Sequence, residues 1–421
     1  MSTQYDVIVI GAGISGLAAA RMLAAAGKSV LLLEARARVG GRILTEYPQR
    51  SKLPIELGAE FIHGRSPELR QLIKEAGLST YELGGKLTCS ENGSLSECSR
   101  EEDFAILDEL SENEPDTSFA QWIAEKHLPA KTKQFAMDFV EGFNAADARR
   151  IGTVALARQQ DAEEKVEADS SFRIVSGYAS LIEFLVKKLK ETGAEIRLST
   201  SVHSVVWKKH HVVVRAPNAE FTAAQCVITL PLGVLRANRV AFDPVPQTIM
   251  QAAEGLAMGT ARRVSYLFRK RFWENSAPAM SFLFLDQGLL RVWWTPHPNQ
   301  APTLTGWIGG TKALDAYSLS DEQFAQEGLS TLAAAFKISE SDLRVHLISW
   351  HTHNWQQDPC SLGAYSYALV GGADASRAMT HPIDDTLYFA GEHTDVTGHW
   401  GTVHGALGSG LRAAAQILKR A

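Results

Sequence analysis

The chain has 421 residues, a formal net charge of -5 and 21% charged side chains, which leaves room for more than one buried core and makes two lobes the expectation. A mildly acidic balance, with no basic cluster interleaved with aromatics, excludes an electrostatic footprint for DNA or RNA. Cys89, Cys98, Cys226 and Cys360 lack metal-ligand spacing, so no metal is expected and all four read as reduced thiols of a cytoplasmic protein.

In chain order, "YDVIVIGAGISGLAAARMLAAAGKSVLLLE" predicts a buried strand, a glycine turn, an alanine-rich helix and a second strand from Ser29 to Leu33, half of a doubly wound sheet. No basic leader precedes it, so no export signal is expected. From about Ser66 to Ala145 the pattern turns to polar amphipathic helices such as "PELRQLIKEAGL" and "SFAQWIAEKH", which read as an inserted lobe. "GYASLIEFLVKKLKETGAEIRLSTSVHSVVWKKHHVVVRA" predicts a helix followed by alternating strands, with a hairpin turn from Lys208 to His211. "CVITLPLGVL" is a buried strand entering a turn, "RRVSYLFRKRFW" alternates with period two, and "QFAQEGLSTLAAAF" has helical period. "TLYFAG" is a last short strand, and Thr402 to Leu418 a last helix, ending far short of a membrane span.

Gly11, Gly13 and Gly16 form G-x-G-x-x-G between the first strand and its helix. The first allows the tight turn, the second lets a pyrophosphate approach the backbone, and the third lets helix and strand pack closely. The helix start at Ile14 and Ser15 then offers N–H groups to phosphate. Glu34 ends the second strand, where a carboxylate can accept both ribose hydroxyls. A dinucleotide carrying adenosine follows, with NAD and FAD both open. The next stretch, "EARARVGGRILT", decides for FAD, because Ala35, Arg36, Gly40, Gly41 and Arg42 give a second close backbone approach for which a nicotinamide site has no use.

Together "DVIVIGAGISGLAAA", "LLEARARVGGR", "ELGAEFIHG", "TLPLGVL", "GAYSY" and "LYFAGEHT...VHGALGSG" resemble the flavin-containing amine oxidases, nearest to polyamine and spermine oxidases and the related lysine demethylase domains. The resemblance implies an α/β chain. Its Rossmann-type FAD-binding domain would be built from residues 1–80, 175–237 and 384–421, beside an α+β substrate-binding domain of mixed sheet over 81–174 and 238–383, with a helical insert at 100–150. It places Glu34 on the adenosine ribose, Arg42 and its neighbouring glycines near phosphate and flavin, and Val202 against adenine through its backbone. Gly58, Ala59, Glu60 and Phe61 would pass beside the flavin, with His63 at the substrate entrance. Gly391 ends a strand so that Glu392 can reach the sugar-alcohol chain. The helix from Thr402 would aim its N–H groups, Val403 first, at the pyrimidine edge, where they stabilise negative charge. The small residues Gly405, Ala406, Gly408 and Gly410 would permit that approach.

The same resemblance implies that an amine loses hydride to the flavin as its neutral form, the imine hydrolyses, and O2 reoxidises the flavin to give H2O2. An apolar, aromatic-walled pocket favours the neutral amine without a dedicated base. Tyr365 falls on one aromatic cage position, whereas the other is Thr402, leaving Trp400 to supply the missing wall. Arg263 stands where the family has a lysine that holds a water, with Arg262 as the neighbour in the alternative register; arginine does not deprotonate. Ala364 stands where monoamine oxidases attach flavin through cysteine, so the FAD is expected to be non-covalent. No arginine in "LGAEFIHG" clamps a carboxylate, which favours a primary amine or polyamine, and Glu60, Glu141, Glu163 and Glu164 are the acids available to hold a distal ammonium. A dehydrogenase passing electrons to another acceptor, an L-amino-acid oxidase, and a flavin-bound scaffold stay open, as does an oligomer.

Overall fold

The computed structural model describes residues 4–419 apart from 52, 92 and 101–103. The strand Gln4–Ile10 lies inside a sheet, parallel to Val30–Leu33 on one side and to Ala219–Ile228 on the other. Glu195–Arg197 extends the parallel set past Val30–Leu33, and Leu387–Phe389 pairs in parallel with Ala219–Ile228. Strands from three distant stretches of chain therefore make one sheet. The expected hairpin is present: Ser204–Lys208 and His211–Ala216 pair antiparallel and join the same sheet through Ala219–Ile228.

Both faces of the sheet are covered, as a parallel sheet requires. Val7 and Val9 point into a core with the helices Ile14–Ala25, Tyr178–Glu191 and Val403–Lys419, while Ile8 and Ile10 point into a second core with Val205, Val214 and Phe389. The first and last helices pack closely enough that a Cβ on Gly410 would overlap the carbonyl oxygen of Ser15. Gly410 thus serves helix–helix contact rather than approach to a ligand, and Gly408 faces open space.

A second sheet runs in the order Leu347–Thr352, Ala261–Phe268, Thr303–Gly309, Val292–Trp294, Met280–Phe284, Lys86–Glu91, Ser94–Glu97. It packs against the helix Asp321–Phe336 around Tyr266, Trp293 and Phe324. All eight residues of Ala261–Phe268 are buried, so its alternation separates two covered faces rather than core from water. The register question resolves with it. Arg262 turns toward Asp321 and lies over the Phe324 ring at 4.2 Å, whereas Arg263 turns the other way, toward Glu60.

Two sequence expectations fail between residues 80 and 98. The segment expected to be helical contains the strands Thr80–Glu82, Lys86–Glu91 and Ser94–Glu97. The last two form a hairpin flanking the sequence Asn-Gly, a strong two-residue hairpin signal. That pairing draws Cys89 and Cys98 into a disulfide with Cα atoms 5.8 Å apart, leaving Cys226 and Cys360 free. The cytoplasmic expectation loses the support it took from four reduced thiols, because disulfides persist mainly in oxidising compartments. No helix among the described residues is long and apolar enough to cross a membrane. Denatured, unreduced protein is expected to show two reactive thiols per chain in a colorimetric titration and four after reduction; four before reduction would mean that the hairpin is unbridged.

Candidate active site

The site grows from the edges of the first sheet. Gly11 has φ +102°, and a Cβ there would lie 2.5 Å from Thr229 Oγ1, so only glycine lets the first strand turn into its helix. A Cβ on Gly16 would overlap the carbonyl of Gly11, whereas one on Gly13 would enter open space. The turn is thus packed behind and bare in front. Gly40 and Gly41, at φ +98° and +59°, bring a second turn beside it, and Gly40 N–H donates to Ala12 O at 2.8 Å. Glu34 is 4% exposed and accepts from Ala12 N at 2.8 Å and from Arg36 N at 2.9 Å. One N–H per oxygen leaves acceptor capacity on the carboxylate. The guanidinium of Arg36 is held by Asp358 at 2.8 Å. Val202 has no hydrogen bond from its N–H or C=O among the described residues.

These residues share one cavity of about 2090 Å³ with Gly58, Phe61, His63, Arg263, Tyr365 and Trp400. Ile14, Ser15, Ala35, Ala59 and Gly391 also line it. The shape suits a long bipartite cofactor, with a bare glycine cradle and carboxylate at one end and an aromatic chamber at the other. Glu392 is 4% exposed, accepts from Arg42 Nη1 at 2.8 Å, from Ser366 Oγ at 2.6 Å and from Gly401 N at 3.0 Å. Burial raises its carboxyl, and the Arg42 charge together with these donors more than offsets that, holding it below the ordinary carboxylate range. Arg42 also donates to Ala364 O at 2.9 Å, tying the second glycine turn to the "GAYSY" segment.

Thr402 lines the cavity and has a second task. Its hydroxyl accepts from Gly405 N at 3.0 Å and donates to His399 O at 2.8 Å, which makes it the cap of the closing helix. The N–H groups of Val403 and His404 stay uncapped beside the cavity, the arrangement that favours negative charge. A Cβ on Gly405 would overlap the His399 carbonyl, so that glycine serves the same tight turn. Tyr365 donates its hydroxyl to Phe143 O at 2.6 Å and packs its ring on Gly401. Trp400 donates Nε1 to Asp395 O at 3.0 Å and keeps a face on the cavity.

The expected flavin neighbour Glu60 proves to be the centre of a buried charge cluster. Arg263 and Arg173 both pair with its carboxylate, and Trp294 Nε1 donates to Oε1 at 3.1 Å. Arg263 spends its other nitrogen on Gly58 O at 3.0 Å. Burial pushes the Glu60 carboxyl up, but Arg173 and Arg263 outweigh it, and the group stays ionised. Glu60 is therefore unavailable for a substrate ammonium. Glu141 is likewise engaged, with Thr311 at 3.0 Å and the Ala148 N–H at 3.3 Å, and lies off the cavity. Glu163 and Glu164 do line it. Glu163 meets Gln159 Nε2 at 2.8 Å, and burial raises its carboxyl to about 7. His63, between Phe61 at 5.9 Å and Phe143 at 5.8 Å, is lowered by burial to about 4 and is neutral at pH 7. Sequence reasoning missed Arg173, Trp294 and Phe143, which sit in no motif and reach the cavity or its charge cluster only through tertiary packing, and it gave no role to His404, which lies within "VHGALGSG".

Comparison with known proteins agrees with this geometry. The chain matches the flavin containing amine oxidoreductase family over residues 14–97 and 94–418. It is 30% identical over 452 residues to polyamine oxidase 4 of Oryza sativa subsp. japonica, covering 99% of this chain and 89% of that one. It is 28% identical to the lysine-specific histone demethylase 2 of Homo sapiens, covering 98% of this chain and 53% of that protein. A putrescine oxidase bound to putrescine has the same fold, with a TM-score of 0.85 at 22% identity over 100% of both chains. The chain belongs to the flavin-containing amine oxidoreductases. It is an amine-acting oxidoreductase with a flavin cofactor.

Glu60→Gln would strand two buried guanidinium groups, and a loss of about 3–5 kcal/mol is expected in chemical denaturation of the flavin-loaded protein. Arg173→Met leaves the Glu60–Arg263 pair and is expected to cost less; equal losses would show that Arg173 and Arg263 do not share the carboxylate.

Proposed function

We propose that the protein oxidises an amine carrying a second, cationic amine, with FAD held non-covalently and O2 as the final acceptor giving H2O2. The observation that carries the reading is the single cavity joining the Gly11–Glu34 cradle to the chamber around Tyr365. In this reading Glu34 accepts the ribose hydroxyls and the N–H groups of Ile14 and Ser15 face phosphate. Val202 meets the adenine, Glu392 and Arg42 lie along the sugar-alcohol chain, and Val403 N–H meets the pyrimidine edge. Residues 1–80, 175–237 and 384–421 would form that cofactor domain. Ala364 offers no sulfur for covalent attachment, and the free Cys360 lies outside the cage position.

When bound, the flavin supplies a two-electron acceptor for the hydride on the amine's α carbon. The chain's own residues select and orient the neutral amine, whose lone pair drives that loss. Tyr365, Trp400 and Phe61 exclude water, which penalises an ammonium. His63, kept neutral, offers an acceptor to an amine N–H. Glu163 takes the distal ammonium when ionised. Polyamine oxidase 4 and the putrescine oxidase are the similar proteins that point to such a two-nitrogen substrate.

Anaerobic mixing with a panel of monoamines, diamines and polyamines tests the reading: at least one diamine or polyamine is expected to bleach the flavin, and failure of every amine would overturn it. The sign of the pH dependence follows from Glu163. Its carboxyl, raised to about 7, ionises as pH climbs from 6 to 8, so affinity for the diamine rises over that window. Glu163→Gln is expected to bind the diamine about tenfold more weakly at pH 8 and to lose that rise.

A second reading is favoured by Arg263. Its guanidinium is paired with the Glu60 carboxylate and donates to Gly58 O, with Nε unpartnered among the described residues, so its charge is partly neutralised and its proton cannot be given up as a lysine's can. This points to a slower reaction with oxygen and an acceptor of another kind. Stopped-flow reoxidation distinguishes them: a dye acceptor that reoxidises the reduced protein far faster than air supports the second reading, and rapid reoxidation in air removes it. Arg263 and Arg65 are each already paired with a carboxylate, Glu60 for the former and Glu167 at 2.7 Å for the latter, which weighs against either clamping a substrate carboxylate and disfavours an amino acid.

A further inference from the structure

Beyond the chamber the cavity's lining falls into two groups of opposite chemistry, each called an arm. One runs past Glu163 to the acids Glu164, Glu167 and Asp169. The other runs between the helix Ala130–Asn144 and the strand Met280–Phe284, and its walls are phenyl rings. On the strand side Phe61 meets Phe282 at 6.4 Å, and Phe282 stacks near Phe284 at 6.3 Å. On the helix side His63 meets Phe143 at 5.8 Å, Phe143 stacks on Phe139 at 5.3 Å, and Phe104 bridges Phe139 at 4.7 Å and Phe135 at 5.3 Å. The two walls converge at Arg100, whose guanidinium lies 4.6 Å from the Phe135 ring and 6.0 Å from the Phe284 ring.

These rings are not fully buried, although Phe104 and Phe139 also pack against the core of the helical lobe. Phe104, Phe135, Phe139, Phe282 and Phe284 are each half-buried, Phe143 is 37% exposed, and all line the cavity. Of the acids near the far end, Glu91 pairs with Lys131 at 2.7 Å and Asp138 with Lys312, while Asp286 accepts from Ser90 at 2.9 Å and Asp108 also lines the cavity. Arg100 and Arg291 on the same lining add positive charge that weakens any pull on an ammonium, whereas an apolar group entering the arm leaves water for ring faces on both sides. The arm opens at Phe61 and His63, beside the position proposed above for the reacting nitrogen.

We infer that this arm is a binding site for an apolar substituent, aryl or long alkyl, carried on the nitrogen of the amine that is oxidised. The substrate is then a secondary amine with a cation on one side and a hydrocarbon group on the other. The inference rests on the amine-oxidase reading for the end that holds nitrogen, but the arm's preference is measurable without turnover.

Two measurements on the flavin-loaded protein test it. In calorimetry, N-benzylacetamide, which has no oxidisable amine, is expected to bind at least tenfold more tightly than N-methylacetamide. In anaerobic stopped flow, an N-benzyl diamine is expected to show at least tenfold lower apparent Kd than its N-methyl counterpart. Phe139→Ala and the milder Phe284→Leu are each expected to reduce the benzyl-over-methyl ratio severalfold in calorimetry, with flavin content confirming that they fold. A ratio near one in the unaltered protein overturns the arm, even where both diamines reduce the flavin. A large ratio in calorimetry with no reduction by any amine keeps the arm and defeats the proposed activity instead. A large ratio that both variants leave intact places the apolar group elsewhere and also overturns the inference.

Discussion

The carboxylate of Glu60, shared by Arg173 and Arg263, is the interaction on which the rest of the site depends. It ties the segment from Gly58 to His63 and the strand Ser171–Ile174, which pair with each other through Ile62–His63, to the strand Ala261–Phe268 in a different sheet. Two cations around one buried anion leave a net positive charge in a poorly solvated place, and such a cluster is costly unless every partner is present. The guanidinium cannot relieve that cost by losing its proton, as a lysine could. An arginine at position 263 therefore requires an acid beside it, and Glu60 supplies it. Glu60 thus lines the cavity, where the resemblance puts it, and is at the same time bound into the scaffold around it.

The second constraint is topological. Parallel pairing of Gln4–Ile10 with Ala219–Ile228, and of that strand with Leu387–Phe389, brings the first and last strands beside the same central strand. Two helices then begin beside the same cavity, one at Ile14 and the other at Val403, with their uncapped N–H groups at separate points along it. Each start favours negative charge. A ligand that is anionic at its middle and gains charge at one end matches both, which is how a dinucleotide flavin is built. Thr402 settles the second helix start by capping Gly405, leaving the first two N–H groups for the ligand.

Much of the nucleotide end was legible in the sequence, because glycine positions and a strand-end acid act through local backbone geometry. Gly11 and Gly16 are required by contacts within a few residues of themselves or with the neighbouring strand, and periodicity placed those strands. The amine end was legible only through resemblance, and there the structure adds roles that the motifs did not show. Thr402, on the cavity, also caps a helix, and Glu60, on the cavity, is also an ion-pair hub. The hairpin of residues 86–97 was hidden by reading its polar residues as helix, and with it the pairing of Cys89 to Cys98. Arg173 and Phe143 had no sequence signal, since their roles arise from elements far apart in the chain.

The histidines complete the electrostatic argument. His63 and His404 are lowered by burial, to about 4 and about 3, with neighbouring imidazoles adding to the effect on His404. Both stay neutral at pH 7, and His404 keeps a buried Nε2 with no partner. A chamber already holding the excess charge of the Glu60 cluster would lose affinity for any amine if these rings were protonated as well. Keeping them neutral lets the chamber offer acceptor nitrogens to an uncharged amine, while Glu163, raised to about 7, holds negative charge farther along. Charge is thus graded along the cavity lining: positive and fixed at the Glu60 cluster, neutral at His63 and His404, and negative at Glu163 as pH rises through about 7. In the proposed function that gradient draws a cationic substrate in by its distal end and disfavours a proton on its near nitrogen, an ordering that needs no base dedicated to the task.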